Sequence, residues 1–235
     1  MMDYKNGWME LKMNKSDPTF IELESVKKEI REFIAEQFSG MVEQDRNNMI
    51  SILKKVVLMK YLVRQNPDDF RLQALLSDLI YLVDSVINGE IRYYYFNMRS
   101  IIEQSLRVIN MLDSAETIPN YDIMKKTEEI VLDSGFQFNL DIIKYEYSKS
   151  CHYVHGSSNA NMNLVKIYSD CLDKSKYIDN LNQKLNELVK LLKEIFRLVF
   201  LSNSLLVDAA FHRRKSILKY LTDEYSLQLI VNTQK

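Results

Sequence analysis

Glycine and proline are scarce in this chain: five and three of 235 residues. A fold of many strands needs turn residues at short, regular intervals, and this sequence does not supply them. Long stretches instead repeat apolar side chains at the helical period of about 3.6 residues. The expected class is therefore all-α, a single multi-helix bundle of long antiparallel helices joined by short loops. A hydrophobic content of 46% in 235 residues is enough to bury a core without disulfides or metals.

Residues 1–18 mix charges with Asn6-Gly7 and Trp8 and read as a loose N-terminal arm, and residues 19–235 read as the helical bundle. Within the arm, Met9, Leu11 and Met13 alternate with Glu10 and Lys12, which suits a short strand or a docked extended segment. Thr19–Phe38 is the first expected helix, ended by Gly40. Val42–Arg64 is the second, stopping before Asn66-Pro67-Asp68-Asp69. Phe70–Ile87 follows and breaks at Asn88-Gly89, and Glu90–Leu112 carries a wide apolar arc from Ile91 to Leu112. The polar stretch from Asp113 to Asn139 holds a short helix over Met124–Leu132, and Asp141–His155 forms the next one. Ser157–Asn161 reads as a loop over its end. Leu181, Leu185, Leu188, Leu192, Ile195 and Val199 form a 4-3-4-3-4 stripe in one helix from Ile178 to Phe211, the expected spine. Leu218, Tyr220, Leu221 and Tyr225 predict a final docking helix.

With 31 basic and 32 acidic residues, no global field pulls the chain onto nucleic acid or an anionic membrane, so such binding would need a local patch. The compact basic cluster His212-Arg213-Arg214-Lys215 is a solvated face or a phosphate contact. Lys193, Glu194 and Arg197 interrupt the apolar part of the spine, so no membrane segment is expected. Cys151 and Cys171 read as free thiols in a cytoplasmic protein, because no secretory signal is evident. There is no glycine-rich phosphate loop, and no cofactor is expected.

Two of the three histidines fall within Tyr145–Gly156. Helical spacing puts Tyr145, Ser148, His152 and His155 on one face, beside an apolar stripe of Leu140, Ile143, Tyr147 and Val154 with the small Ser150. A histidine just before Gly156, a natural C-cap, can equally serve the helix dipole and no chemistry. His152 and His155 could share a metal only with a remote third ligand, so no metal site is expected. A Cys151–His155 dyad would lack an oxyanion hole and an orienting third group. On the Glu90–Leu112 helix, Arg99 lies at the border of the apolar arc with Glu103 one turn on. They make either an ordinary i,i+4 ion pair or an arginine held so that its planar fork faces a phosphate or carboxylate.

An Arg-x3-Glu pair on one long helix (Arg99, Glu103), followed by Ser148-x3-His152 and by His155-Gly156-Ser157, resembles the HEPN-like helical domains of prokaryotic defence and toxin systems over roughly Phe70 to Phe211. Active members of that family carry Arg-x4–6-His. The matching spacing here is Lys149-x5-His155, with Lys149 where arginine is expected and Arg99 able to supply the fork from the other helix. The resemblance implies a metal-independent endoribonuclease in which His155 is general base, His152 acid or orienter, and Arg99, held by Glu103, and Lys149 stabilise the phosphate. Ser148 and Tyr145 would then touch substrate. The alternative is a non-catalytic interaction or scaffold module of a defence operon, with a protein partner from that operon. RNA is the expected ligand of the first reading, and a homodimer is expected because such families assemble sites across a two-fold axis.

Overall fold

A computed structural model describes residues 17–113, 116–155, 178 and 180–233, the side chains of residues 155 and 231–233 excepted. Among the described residues there are ten helices and no strands: α1 (Pro18–Gln37), α2 (Glu43–Gln65), α3 (Phe70–Ile87), α4 (Ile91–Ile109), α5 (Asn120–Ser134), α6 (Leu140–His155), α7 (Leu181–Ser202), α8 (Ser204–Phe211), α9 (Lys215–Leu221) and α10 (Glu224–Thr233). The alternation at Met9–Met13, the loop at Ser157–Asn161 and Cys171 lie outside the described residues.

Local chemistry explains where the helices start. Asp17 caps α1 by accepting the Thr19 N–H at 2.8 Å, and Pro18, assigned by its sequence to the arm, takes the first helical position, where a missing N–H costs nothing. Asp69 caps α3 through the Arg71 N–H at 3.0 Å. Gly89 and Gly135, both at positive φ, follow the C-caps of α3 or cap α5.

Side-chain pairs give the helix directions. Tyr95 meets Tyr153 while Glu103 meets Tyr147, so α4 and α6 are antiparallel. α6 and α7 are antiparallel too, through Lys149–Glu187 and Asn139–Glu194. α7, in contrast, runs parallel to α2, through Asp45–Asn182 and Asn48–Asn186, and parallel to α4, through Tyr94–Lys184 and Val108–Asn203. The buried apolar residues form one continuous cluster from Leu23 to Ile230, with Phe196, Phe200 and Phe211 fully enclosed. No described helix is long and apolar enough to cross a membrane.

Three expected elements differ. The spine is two helices, because Asn203 leaves helical geometry (φ −122°, ψ 36°) and donates its side-chain amide to the Val108 carbonyl at 3.3 Å. Ser202, Asn203 and Ser204 are the residue types that bond locally instead of extending a helix. The short Met124–Leu132 helix is longer, since Asn120 at its start is anchored to α4 through Glu103. The final docking helix is two, α9 and α10, because Asp223 accepts the Ser226 N–H at 2.8 Å and starts a new one. The basic cluster divides: His212 and Arg213 are exposed, whereas Arg214 Nε donates to both Glu22 oxygens at 3.0 and 2.9 Å and Lys215 pairs with Asp208.

Candidate functional site

α4 buries Tyr94, Tyr95, Met98, Ile101, Ile102 and Ser105, which leaves Arg99 and Glu103 at the edge of its packed face, their side chains 22% and 25% exposed. Glu103 Oε1 accepts three hydrogen bonds: from Arg99 Nε at 2.8 Å, Asn120 Nδ2 at 2.9 Å and the Tyr147 hydroxyl at 3.0 Å. The Arg99 guanidinium also lies 5.9 Å from the Tyr147 ring centroid. The Glu103 hydrogen bond raises the Arg99 pKa further, and burial raises that of the Tyr147 phenol. Cys151, a free thiol one turn beyond Tyr147, also stands near the Arg99 guanidinium. The seam between α4 and α6 thus carries Arg99, Glu103, Tyr147 and Cys151, tied to α5 by Asn120. Asn120 had no signal in the sequence; the direction of α5 brings it there.

The rest of α6 divides by face. Ile143, Glu146 and Ser150 are buried, and the Ser150 hydroxyl closes onto the Glu146 carbonyl at 2.7 Å. Tyr145, Ser148 and His152 are exposed, Tyr145 at 61%. His155 ends the helix one turn after Cys151, and its side chain lies outside the described residues. Lys149 leans to the flank away from Arg99, donating to Glu187 at 2.7 Å and standing 3.6 Å from Glu146. The sequence gives no sign of Glu146, because a glutamate between two tyrosines reads as surface. It is 1% exposed, one carboxylate oxygen has no hydrogen-bond partner, and burial raises its pKa. Nearby, Tyr95 stacks on Tyr153 with centroids 3.8 Å apart.

Between α4, α5 and α6 opens a cavity of about 710 Å³, lined by Tyr147 and Asn120 of the network and by Tyr121, Met124, Lys125 and Lys144. Among the described residues, no group of three or more His, Cys, Asp or Glu side chains could hold a metal.

No family model, curated protein or solved structure matches the chain.

Chemically, the seam offers a fixed cation on α4, a phenol and a thiol on α6, and a helix end bearing His155. An arginine locked by a carboxylate is pre-organised to present its planar fork to a phosphate or carboxylate, because little side-chain freedom remains to be lost. Lys149 is already matched by two carboxylates and adds little net positive charge to its flank.

Proposed function

We propose that this chain is a HEPN-like, metal-independent endoribonuclease of a prokaryotic defence or toxin–antitoxin system, working as a cytoplasmic homodimer. The observation that best supports this reading is Arg99, fixed by Glu103 at 2.8 Å on the seam where α6 carries Tyr147 and Cys151, one turn short of His155. His155 takes the proton of a ribose 2′-hydroxyl, and that oxygen attacks the adjacent phosphorus. The bond from phosphorus to the 5′-oxygen breaks, and His152 returns a proton to the leaving oxygen. Arg99 stabilises the extra negative charge of the pentavalent phosphate. The products are a 2′,3′-cyclic phosphate and a 5′-hydroxyl. Tyr145 and Ser148, exposed on the same helix, contact the RNA strand.

A second reading, the non-catalytic module of a defence operon, draws support from the saturation of the polar groups: Glu103 Oε1 has three protein donors and Lys149 has two carboxylates. The two readings separate experimentally. In the ribonuclease, His155→Ala and Arg99→Ala each lower RNA cleavage by at least about a hundredfold, the lower range of general acid–base catalysis, while the His155 variant melts like the wild type. Cleavage persists in a chelator. A wild-type protein that cuts no RNA, needs magnesium, or cuts DNA equally well would falsify the mechanism.

A further inference from the structure

Cleavage chemistry at Arg99 makes no use of the cavity that Tyr147 lines between α4, α5 and α6. We propose that this cavity, between α4, α5 and α6, is a subsite for one unpaired base of single-stranded RNA; the assignment rests on the ribonuclease reading and names where its substrate sits. Tyr147 joins the two: the Arg99 guanidinium lies 5.9 Å from its ring centroid, and its side chain lines the cavity. A phosphate at Arg99 and a base in the cavity then both border Tyr147, as neighbouring parts of one strand would.

The cavity's size and chemistry suit a base. Its volume of about 710 Å³ is within the usual range for ligand pockets. Met124 supplies an apolar surface; Asn120 Nδ2 and the Tyr147 hydroxyl are engaged with Glu103 and each other, which leaves the Asn120 side-chain oxygen as the acceptor to meet a base edge. Tyr121 is 70% exposed, with Lys125 Nζ 4.5 Å from its ring centroid, so an aromatic platform and a cation for the flanking phosphate stand together. Lys144 at the rim is matched by Glu128, which also lines the cavity, so Lys125 is the ammonium that serves the phosphate. Bases in a duplex are stacked and cannot enter such a pocket, which restricts the substrate to single strands.

The test is fluorescence anisotropy with a fluorescein-labelled, 2′-O-methyl single-stranded oligonucleotide of about eight nucleotides, within the site sizes of single-strand binders. Without a free 2′-hydroxyl the probe cannot be cut by the proposed route, so binding is read independently of catalysis. Tyr121→Ala should weaken binding about tenfold, the scale of one lost base–aromatic stack. Lys125→Glu should weaken it several times more than Lys126→Glu, the same charge change at an exposed neighbour on α5 that does not line the cavity. Melting curves confirm that the exposed-site variants stay folded. Wild-type affinity in Tyr121→Ala, equal losses in the two lysine variants, or no binding of the probe overturns the subsite. If the probe fails to bind but natural RNA is cut, the subsite is wrong and the nuclease stands. Binding with the predicted variant pattern but without cleavage of natural RNA keeps the subsite and removes the nuclease.

Discussion

Lys55 is the residue whose position costs the fold most visibly. Its ammonium is enclosed although the residue as a whole is only partly buried, with Nζ 3.3 Å from the Leu221 carbonyl and 5.6 Å from the Phe196 ring centroid. Burial lowers its pKa from 10.5 to about 8; Asp223 opposes the shift, and Lys54, Lys193 and Arg197 add to it. Below about pH 8 the lysine is charged in both folded and unfolded chains, and the full penalty, about 3 kcal/mol, applies. Between about 8 and 10.5 the unfolded chain holds more protons, so this group's contribution to stability rises with pH. Lys55→Met should therefore raise the melting temperature by several degrees at pH 7, with the gain shrinking toward pH 10.5. A variant that melts below the wild type at pH 7 would contradict this account. Lys54, its neighbour in sequence, instead lies 4.1 Å over the Tyr220 ring. A run of two lysines gives no sign of which one α7 and α9 will enclose.

At the scale of elements, the ends of α3 and α4 repeat one device. After α3, Gly89 donates to the Val86 carbonyl and Glu90 to that of Ser85, the paired bonds of a Schellman cap with glycine at positive φ. After α4 the same two bonds run from Met111 to Val108 and from Leu112 to Arg107, but the left-handed position, φ 52°, is held by methionine. Met111 is 57% exposed, so its side chain contributes little packing. Met111→Gly should stabilise the protein by about 1 kcal/mol, seen as a higher urea midpoint at unchanged m-value. An unchanged or lower midpoint would mean the backbone there is relaxed by other means. Gly89 was legible as a stop, whereas Met111 was not: the apolar arc through Leu112 made the helix read as continuing to that residue, two beyond the end of its regular hydrogen bonds.

For the whole molecule, exposed aromatics carry the next expectation. Tyr93 and Phe96 lie three apart on α4 and are exposed at 60% and 54%, and Tyr81, at 60%, is on α3 near the level set by the Asp78–Ser100 hydrogen bond. Phe96 is also one turn from Arg99, so a two-fold contact on this face would bring two Arg99 seams together. The proposed homodimer should sediment near twice 27.8 kDa, and Phe96→Glu should return it to the monomer mass. A wild-type monomer at high micromolar concentration, or a dimer indifferent to Phe96→Glu, would rule out this interface.

Helix class and the starts of α1 to α4 and α6 were legible in the sequence, because they depend on local causes: scarce glycine and proline, apolar period, and caps such as Asp69. The Arg99–Glu103 contact was legible for the same reason, since residues four apart on a helix must be neighbours. Other features required the third dimension. The break at Asn203 depends on the Val108 carbonyl, 95 positions away along the chain. Asn120 and Tyr147 reach Glu103 only because α5 and α6 cross α4 at that level. Glu146 is buried, and Lys149 drawn to Glu187, because α7 returns parallel to α2 and α4 and covers that flank of α6. Periodicity says which side of a helix is apolar; which polar residues at its margins are enclosed is settled by the neighbours that arrive there.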